Sequence, residues 1–431
     1  MRVAYACSQG IGHMKYLIPM ITESLARGHD VTLFCPDEPI FEQELKREGV
    51  DERILVRLTM SNNKDRMSLY PGILNKINAG GPLAIFCEEM YDPILAYYEK
   101  DENNIPDVFV IDFFATAASD AADYLDIPVV VGYPCPFNFF DLPPPEQRGL
   151  KQMLKGIVAS YFIGPMITIL GTYLRNKERN GRNLPLLQQH DIIPSLRQTR
   201  HMIAFTAIGL EYNCKTSPLL HIVGSSRPMN PPQLGNDLRK WIDEQTKPIV
   251  YLSFGSKADC KRATIENVMR ELLSISDKAS FICSLSAANQ ELIPSSIKLP
   301  DTIRIEAWLP QWSILAHPKV VAFTTHCGSN SIFESILNNV PIIGVPLGKD
   351  QPANAARVKA AYIGAIVENG ADGAVGKSIE YVLHNLSKYV EPLSKLNDIF
   401  NNLGGASEAV NIVENVATEA KQMKTKSEMD S

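Results

Sequence analysis

Short apolar, β-branched runs recur along this 431-residue chain between longer segments of helical periodicity, and no other feature restricts the fold as strongly. The alternation fits parallel βαβ units, because a strand covered by helices on both faces reads as a near-continuous apolar run. In the first half the strand candidates are residues 2–7, 31–36, 108–112 and 128–133. Met14, Leu17, Ile18, Ile21 and Leu25 form one helical stripe after the first of them, and Gly28 follows as its cap. The second half repeats the rhythm at 248–254, 280–285, 303–307, 320–325, 341–345 and 363–367, so two Rossmann-like series are expected. Between them, Val223-Gly224-Ser225-Ser226-Arg227-Pro228-Met229-Asn230-Pro231-Pro232 is dense in Gly, Pro and Ser and reads as an interdomain linker. The expected division is a first domain over 1–230, a second over 231–395, and a C-terminal helix with a polar tail over 396–431 that packs back toward the first.

Composition removes several function classes. With 45% hydrophobic and 21% charged residues the chain has the balance of a soluble globular protein, which excludes wholesale disorder. The 42 Lys and Arg against 48 Asp and Glu give a net charge of -6, so nucleic acid is not an expected partner. The eight cysteines form no CxxC pair for zinc or redox chemistry and read as small buried hydrophobes. The apolar run after Met1-Arg2 is too short and too early for a signal peptide. The uncharged stretch 156–174 is interrupted by Gly156, Gly164-Pro165 and Gly171, and reads as buried or pocket-lining helix rather than a membrane anchor. A cytoplasmic monomer with reduced thiols is expected.

Open parallel sheets bind ligands at the carboxyl ends of their strands, so the residues just after each strand carry the chemistry. After the first comes Ser8-Gln9-Gly10-Ile11-Gly12-His13. Its glycines permit tight turning and close approach of a ligand, while His13 is either a plain helix-start residue or a base. Asp112 ends a later strand and precedes Phe113-Phe114-Ala115-Thr116. It either caps the next helix or, at the same sheet edge, reaches His13 and holds its imidazole. In the second half a strand ends at His326, turns on Gly328 and enters a helix. The N-terminal N–H groups and dipole of that helix, with His326 and the Ser331 hydroxyl beside them, suit a diphosphate. Ser331-Ile332-Phe333-Glu334 also matches a capping box, and the two uses cannot both engage Glu334. No GxxxxGK[ST] occurs, so a phosphate here is not held in a P-loop.

Residues 308–351 resemble the signature box of the family 1 glycosyltransferases, the UDP-glycosyltransferases. The stretch opens with Trp308-Leu309-Pro310-Gln311 and carries His317-Pro318-Lys319-Val320. It continues through Thr325-His326-Cys327-Gly328-Ser329-Asn330-Ser331 to Glu334-Ser335, then Val340-Pro341-Ile342-Ile343-Gly344-Val345-Pro346, and closes with Asp350-Gln351 followed by Pro352-Ala353-Asn354-Ala355. Gly10-Ile11-Gly12-His13, Arg27-Gly28-His29-Asp30-Val31-Thr32 and Val250-Tyr251-Leu252-Ser253-Phe254-Gly255-Ser256 are similar as well, so the resemblance covers nearly the whole chain. It implies an α/β protein of the GT-B fold, two Rossmann-like domains whose parallel sheets face an interdomain cleft.

The resemblance also implies roles. Trp308 would stack on uracil and Gln311 would bond its edge. Glu334 would hold the ribose hydroxyls, and His326, Asn330, Ser331 and Ser256 the diphosphate, with Gly12 and Gly328 letting the donor approach the backbone. Asp350 and Gln351 would bond the sugar, and a terminal Gln points to glucose. His13 would take the acceptor proton in a single displacement with inversion, with Asp112 stabilising the imidazolium. No D-x-D occurs, so no metal and no cofactor beyond the co-substrate UDP-sugar are expected. Phe113, Tyr133, Phe137, Phe139, Phe140, Tyr161 and Phe162 suggest a pocket for a lipophilic or phenolic small molecule, and hence a part in detoxifying xenobiotics or plant metabolites. The rival readings are a GT-B UDP-sugar epimerase and a non-catalytic binder of sugar nucleotide or lipophile. Three positions depart from the family pattern: Ser329 where plant members have Trp, Tyr16 where many have Pro, and Asn339 where Gly is usual. None of them is expected to touch His13, Asp112 or the diphosphate cradle.

Overall fold

The structure is a computed structural model and describes residues 1–8, 11–58, 90–134, 164–187, 200–212, 217–227, 231–254, 262–347, 350–367 and 373–429. Strands β1 (Arg2–Ala6), β2 (Asp30–Pro36), β3 (Leu55–Leu58), β4 (Val108–Asp112), β5 (Val129–Tyr133), β6 (His201–Ala204) and β7 (Leu220–Ile222) form one sheet in the order β3-β2-β1-β4-β5-β6-β7. Strands β8 (Ile249–Ser253), β9 (Ser280–Ser284), β10 (Ile303–Glu306), β11 (Val320–Thr325), β12 (Ile342–Gly344) and β13 (Gly364–Ile366) form a second, in the order β10-β9-β8-β11-β12-β13. Every pairing in both sheets is parallel. In each sheet the order reverses beside the first strand of the series, which opens a crevice between β1 and β4 and another between β8 and β11.

Helices α1 (Ile11–Lys15), α2 (Leu17–Ala26), α3 (Pro39–Arg47), α4 (Tyr91–Tyr98), α5 (Thr116–Tyr124) and α6 (Gly164–Gly181) accompany the first sheet. Helices α7 (Asn236–Glu244), α8 (Arg262–Ser274), α9 (Ala287–Gln290), α10 (Gln311–Leu315), α11 (Ser329–Leu337), α12 (Gln351–Ala360), α13 (Ala374–His384), α14 (Ser387–Asn402) and α15 (Gly405–Met429) follow in the second half. Alternation across the pleat sends Val3 and Tyr5 into a core with α2 and α15, and Ala4 and Ala6 into one with α4 and α5. Both faces are covered, which is why β4 and β5 are buried at every residue.

The last helix leaves the second sheet and lies along α2. Ala409, Val410 and Val413 are buried there, Arg27 Nη1 donates to Asn411 and Glu414, and His29 Nε2 lies 2.7 Å from a Glu414 oxygen. Where the chain crosses back, Gly405 N–H donates to Val223 O at 2.7 Å. Gly224 and Gly405 both have positive φ, and a Cβ on either would meet a backbone oxygen, Phe400 O at 2.5 Å or Ser225 O at 2.4 Å, so glycine is required twice over.

Cys7, Cys35, Cys283 and Cys327 are buried, and no disulfide joins any two of them; the other four cysteines lie outside the described residues. Among the described residues no helix is long and apolar enough to cross a membrane. Of the uncharged stretch, 156–163 lies outside the described residues, and the rest opens α6, which buries Arg175 and Arg179 against Asp120.

Candidate active site

The crevice of the first sheet brings together the two residues singled out at its edge. Asp112, the last residue of β4, is fully buried, and its Oδ2 lies 3.1 Å from His13 Nδ1 on α1. Ser8 Oγ donates to Oδ1 at 2.8 Å, the Phe114 N–H to Oδ1 at 3.0 Å, and the Tyr16 hydroxyl to Oδ2 at 2.9 Å. With three donors already converging on an acceptor, the hydrogen shared with His13 belongs to Nδ1. Asp112 does not cap α5, whose N-cap is Ala115 and carries no side-chain bond. The His13 side chain is 26% exposed, and its ring meets Phe114 edge-on at 5.0 Å. Phe113 packs on Phe114 at 4.9 Å and on the buried Tyr133 at 4.7 Å, so a run of rings leads from the imidazole into the core. Gly12 is exposed, and a Cβ there would meet nothing within 4 Å. Phe137, Phe139, Phe140, Tyr161, Phe162 and Ser256 lie outside the described residues.

The second sheet assembles the rest. Trp308 follows β10 and is 56% exposed, unusual for the largest aromatic, with Arg47 from α3 over its ring at 5.2 Å. After β11 the chain turns through Cys327 at φ 68° and enters α11 at Gly328, an N-cap residue with no side chain of its own to cap the first turn. Its leading N–H groups are therefore left for a ligand or water. A Cβ on Gly328 would lie 2.7 Å from His326 Nε2, so the ring and the helix entry are pressed together. Burial holds the His326 imidazole below its ordinary pKa, with Asp350 opposing, so the ring is neutral at pH 7. Burial likewise pushes the Cys327 thiol up to about 12, which leaves it unreactive. Because α11 starts at Ser329, Ser331 sits inside the first turn and forms no capping box. Its neighbour Glu334 is 3% exposed, and Gln311 Nε2 donates to Glu334 Oε2 at 2.6 Å and to Ser331 Oγ at 3.2 Å. Asn330 is half-buried in the same turn. Asp350 and Gln351 open α12, where the Asp350 Oδ2 accepts from Asn354 Nδ2 at 2.8 Å and the Gln351 Oε1 from Leu347 N at 2.8 Å. Among the described residues no group of three or more His, Cys, Asp or Glu is arranged to hold a metal ion.

A sequence model of the family described as "UDP-glucoronosyl and UDP-glucosyl transferase" matches residues 183–402, just over half of the chain. The chain belongs to the UDP-glycosyltransferase family. The indole-3-acetate beta-glucosyltransferase of Zea mays is 36% identical over 144 residues, 32% of this chain and 30% of that protein. The 2-hydroxyacylsphingosine 1-beta-galactosyltransferase of Homo sapiens is 27% identical over 293 residues, 64% of this chain and 51% of that protein. The chain thus spans about half the length, or less, of these curated relatives. Two crystal structures have the same fold: CalG4, the calicheamicin glycosyltransferase (TM-score 0.70, 18% identity, 97% of this chain and 98% of that one), and Medicago truncatula UGT71G1 complexed with UDP-glucose (TM-score 0.66, 20% identity, 96% and 98%). The architecture is GT-B.

For this UDP-glycosyltransferase one expectation is overturned. Tyr16 does touch the candidate catalytic pair, because one helical turn beyond His13 its buried hydroxyl reaches the same Asp112 oxygen. Gly132 makes room for it, since a Cβ there would lie 2.7 Å from the Tyr16 oxygen. Ser329 also reaches the cradle's surroundings, accepting from Asn354 Nδ2 at 3.3 Å, and that amide bonds Cys327 O at 3.1 Å as well. Asn339 has φ 54°, a left-handed value that Asn tolerates better than other non-glycine residues. Ser8, Arg47 and Arg227 were not legible as site residues; their partners lie far away in sequence, and only the fold brings them near.

Proposed function

We propose that the protein is an inverting hexosyltransferase that moves glucose from UDP-glucose to a hydroxyl of a lipophilic or phenolic small molecule. The observation that supports this most is the bond between His13 and the buried Asp112. With the hydrogen on Nδ1, the lone pair of the neutral ring is on Nε2, where it takes the acceptor proton as the hydroxyl oxygen attacks the anomeric carbon. Asp112 stabilises the imidazolium that results. The bond from the anomeric carbon to UDP breaks on the opposite face, so an α-linked donor yields a β-glycoside.

The charge that develops on the departing diphosphate falls on the uncapped first turn of α11, with His326, Asn330, Ser331 and Ser256 around it and Gly12 and Gly328 offering close approach. In this reading no metal is needed. Trp308 takes uracil, Gln311 its edge, Glu334 the ribose, and Asp350 and Gln351 the sugar. The relatives bear the names of a glucosyl and a galactosyl transferase, which favours a hexose, and Gln351 carries the choice of glucose. Phe113, backed by the buried Tyr133, would begin an aromatic acceptor wall, to which Phe137, Phe139, Phe140, Tyr161 and Phe162 would add. The role that fits is detoxification by a cytoplasmic enzyme.

The test is an incubation of the chain with UDP-glucose, UDP-galactose, UDP-glucuronate and UDP-GlcNAc against a panel of phenols, with and without EDTA. Product masses and the anomeric coupling in proton NMR are read. A β-glucoside formed equally in EDTA is expected. Interconversion of UDP-sugars without acceptor would replace this reading with an epimerase, and UDP binding without any product would replace it with a binder.

A further inference from the structure

The Glu334 carboxylate is held from both sides. Gln311 donates to Oε2, while Arg227 Nε and one terminal guanidinium nitrogen both lie 2.9 Å from Oε1. Arg227 is not part of the signature box; it stands just beyond β7, where the chain leaves the first domain. Its Nη1 reaches Glu48 Oε1 at 3.4 Å, immediately after α3. The Arg227 side chain is 15% exposed and that of Glu334 3%. Burial alone would lower the guanidinium's pKa, but Glu334 and then Glu48 outweigh it and hold it above its ordinary value.

A buried carboxylate that is to receive sugar hydroxyls must stay charged and keep its plane. Water cannot do this at such low exposure, so a neighbouring cation must. Arginine suits the task better than lysine, since its rigid planar guanidinium fork can set two nitrogens on Glu334 Oε1 and a third toward Glu48. Three N–H groups converge on a group that offers about four acceptor sites, so acceptor capacity remains for the ribose. The remaining terminal nitrogen of Arg227 reaches Glu48 Oε1, which holds the guanidinium at a second point.

We propose that Arg227 is a positioning residue for donor recognition, holding Glu334 ready for the ribose hydroxyls from the segment that joins the two domains. This rests on the donor site proposed above. It makes ribose recognition depend on a side chain outside the box that supplies most of the donor contacts.

Calorimetric titration of the chain with UDP and with 2′,3′-dideoxy-UDP separates the possibilities. The wild-type chain is expected to prefer UDP by at least ~10-fold, since a site built for hydroxyls leaves polar groups unmatched when they are missing. E334Q should bring the ratio near one. R227M should weaken UDP binding and bring the ratio near one while leaving the affinity for the dideoxy compound little changed, a pattern that general damage to the site would not give. If R227M shows no cooperative melt, R227K decides: a point charge without the fork should reduce the ratio at least ~3-fold. A wild-type ratio in R227M or R227K overturns the proposal, as does tighter UDP binding by R227M, which would make Arg227 a competitor of the ribose. A wild-type ratio near one, or an E334Q ratio equal to the wild type's, would remove the donor-site reading itself and this proposal with it.

Discussion

The Tyr16 hydroxyl and His13 Nδ1 share one acceptor, Oδ2 of Asp112, at 2.9 and 3.1 Å. The carboxylate is therefore oriented by groups other than the histidine, with Ser8 and the Phe114 N–H on its second oxygen. Tyr16→Phe removes one bond to a buried carboxylate at nearly constant volume. It should lower stability by about 1.5–3 kcal/mol, read as a drop in the denaturant midpoint, while turnover falls less than in Asp112→Asn because three partners remain. An unchanged midpoint would show that the bond contributes nothing.

His13→Ala should reduce turnover by at least ~10²-fold with little effect on UDP affinity, since a general base typically supplies about 10²–10⁴. Asp112→Asn should act in the same direction, and the double variant should be hardly worse than His13→Ala, because the two act as one unit. Single-turnover rates with saturating donor measure this; multiplicative losses would mean that the residues work separately.

Gly132→Ala places a methyl 2.7 Å from the Tyr16 oxygen and 2.8 Å from its ring carbon Cε2. Overpacking of this kind costs about 1–3 kcal/mol. Stability and turnover should both fall, and adding Tyr16→Phe should not restore them, since the ring carbon still clashes. Full rescue by the double variant would point to the hydroxyl alone.

Acid should destabilise the fold before the carboxylates titrate. His221 lies below its ordinary pKa, chiefly through burial and then through His201, whose Nδ1 is 2.9 Å from His221 Nε2 in a parallel stack, and burial depresses His326 as well. A histidine whose folded pKa is depressed binds protons more readily when unfolded, so its stabilising contribution is present above ~6.5 and is lost as pH falls below that value. Melting temperature should drop between about pH 7.5 and about pH 5.5, and His221→Gln should make the drop smaller. An equal drop in the variant would remove His221 from the account.

Turnover with UDP-glucose should exceed that with UDP-galactose on the same acceptor. The Gln351 amide, whose oxygen accepts from Leu347 N, lies beside an Asp350 carboxylate braced by Asn354. A donor and an acceptor fixed side by side distinguish two sugars that differ in the direction of one hydroxyl. Faster transfer of galactose or glucuronate would refute the glucose assignment and leave the transferase reading standing.

The fold was legible wherever a strand is buried on both faces. Val-Phe-Val-Ile of β4 and Val-Val-Val of β5 announce themselves by composition. By contrast β3, β6 and β7 escaped notice, because three or four residues interrupted by Arg57, His201 or His221 carry no such signal and take their conformation from neighbouring strands. The site divides the same way. His13 and Asp112 were legible as residue types at carboxyl ends of strands, and the box by its pattern. The partners that hold them in place were not: Ser8 and Tyr16 bond a residue 104 and 96 positions away, and Arg227 one 107 positions away. Local sequence encodes what a side chain is, and the topology decides what it meets.

The two passages of the chain between the sheets, one beyond Gly224 and one at Gly405, are bonded to each other through Val223 O and Gly405 N. Two separate tethers would define a line about which the halves could turn; two tethers fastened at one place act as a single joint. Arg227, close beyond Val223, carries the fastening on to Glu334 of the second half and Glu48 of the first. The glycines there are the joint's bearing surface: their lack of a side chain lets two backbones run in contact, and a methyl group on either would wedge it open.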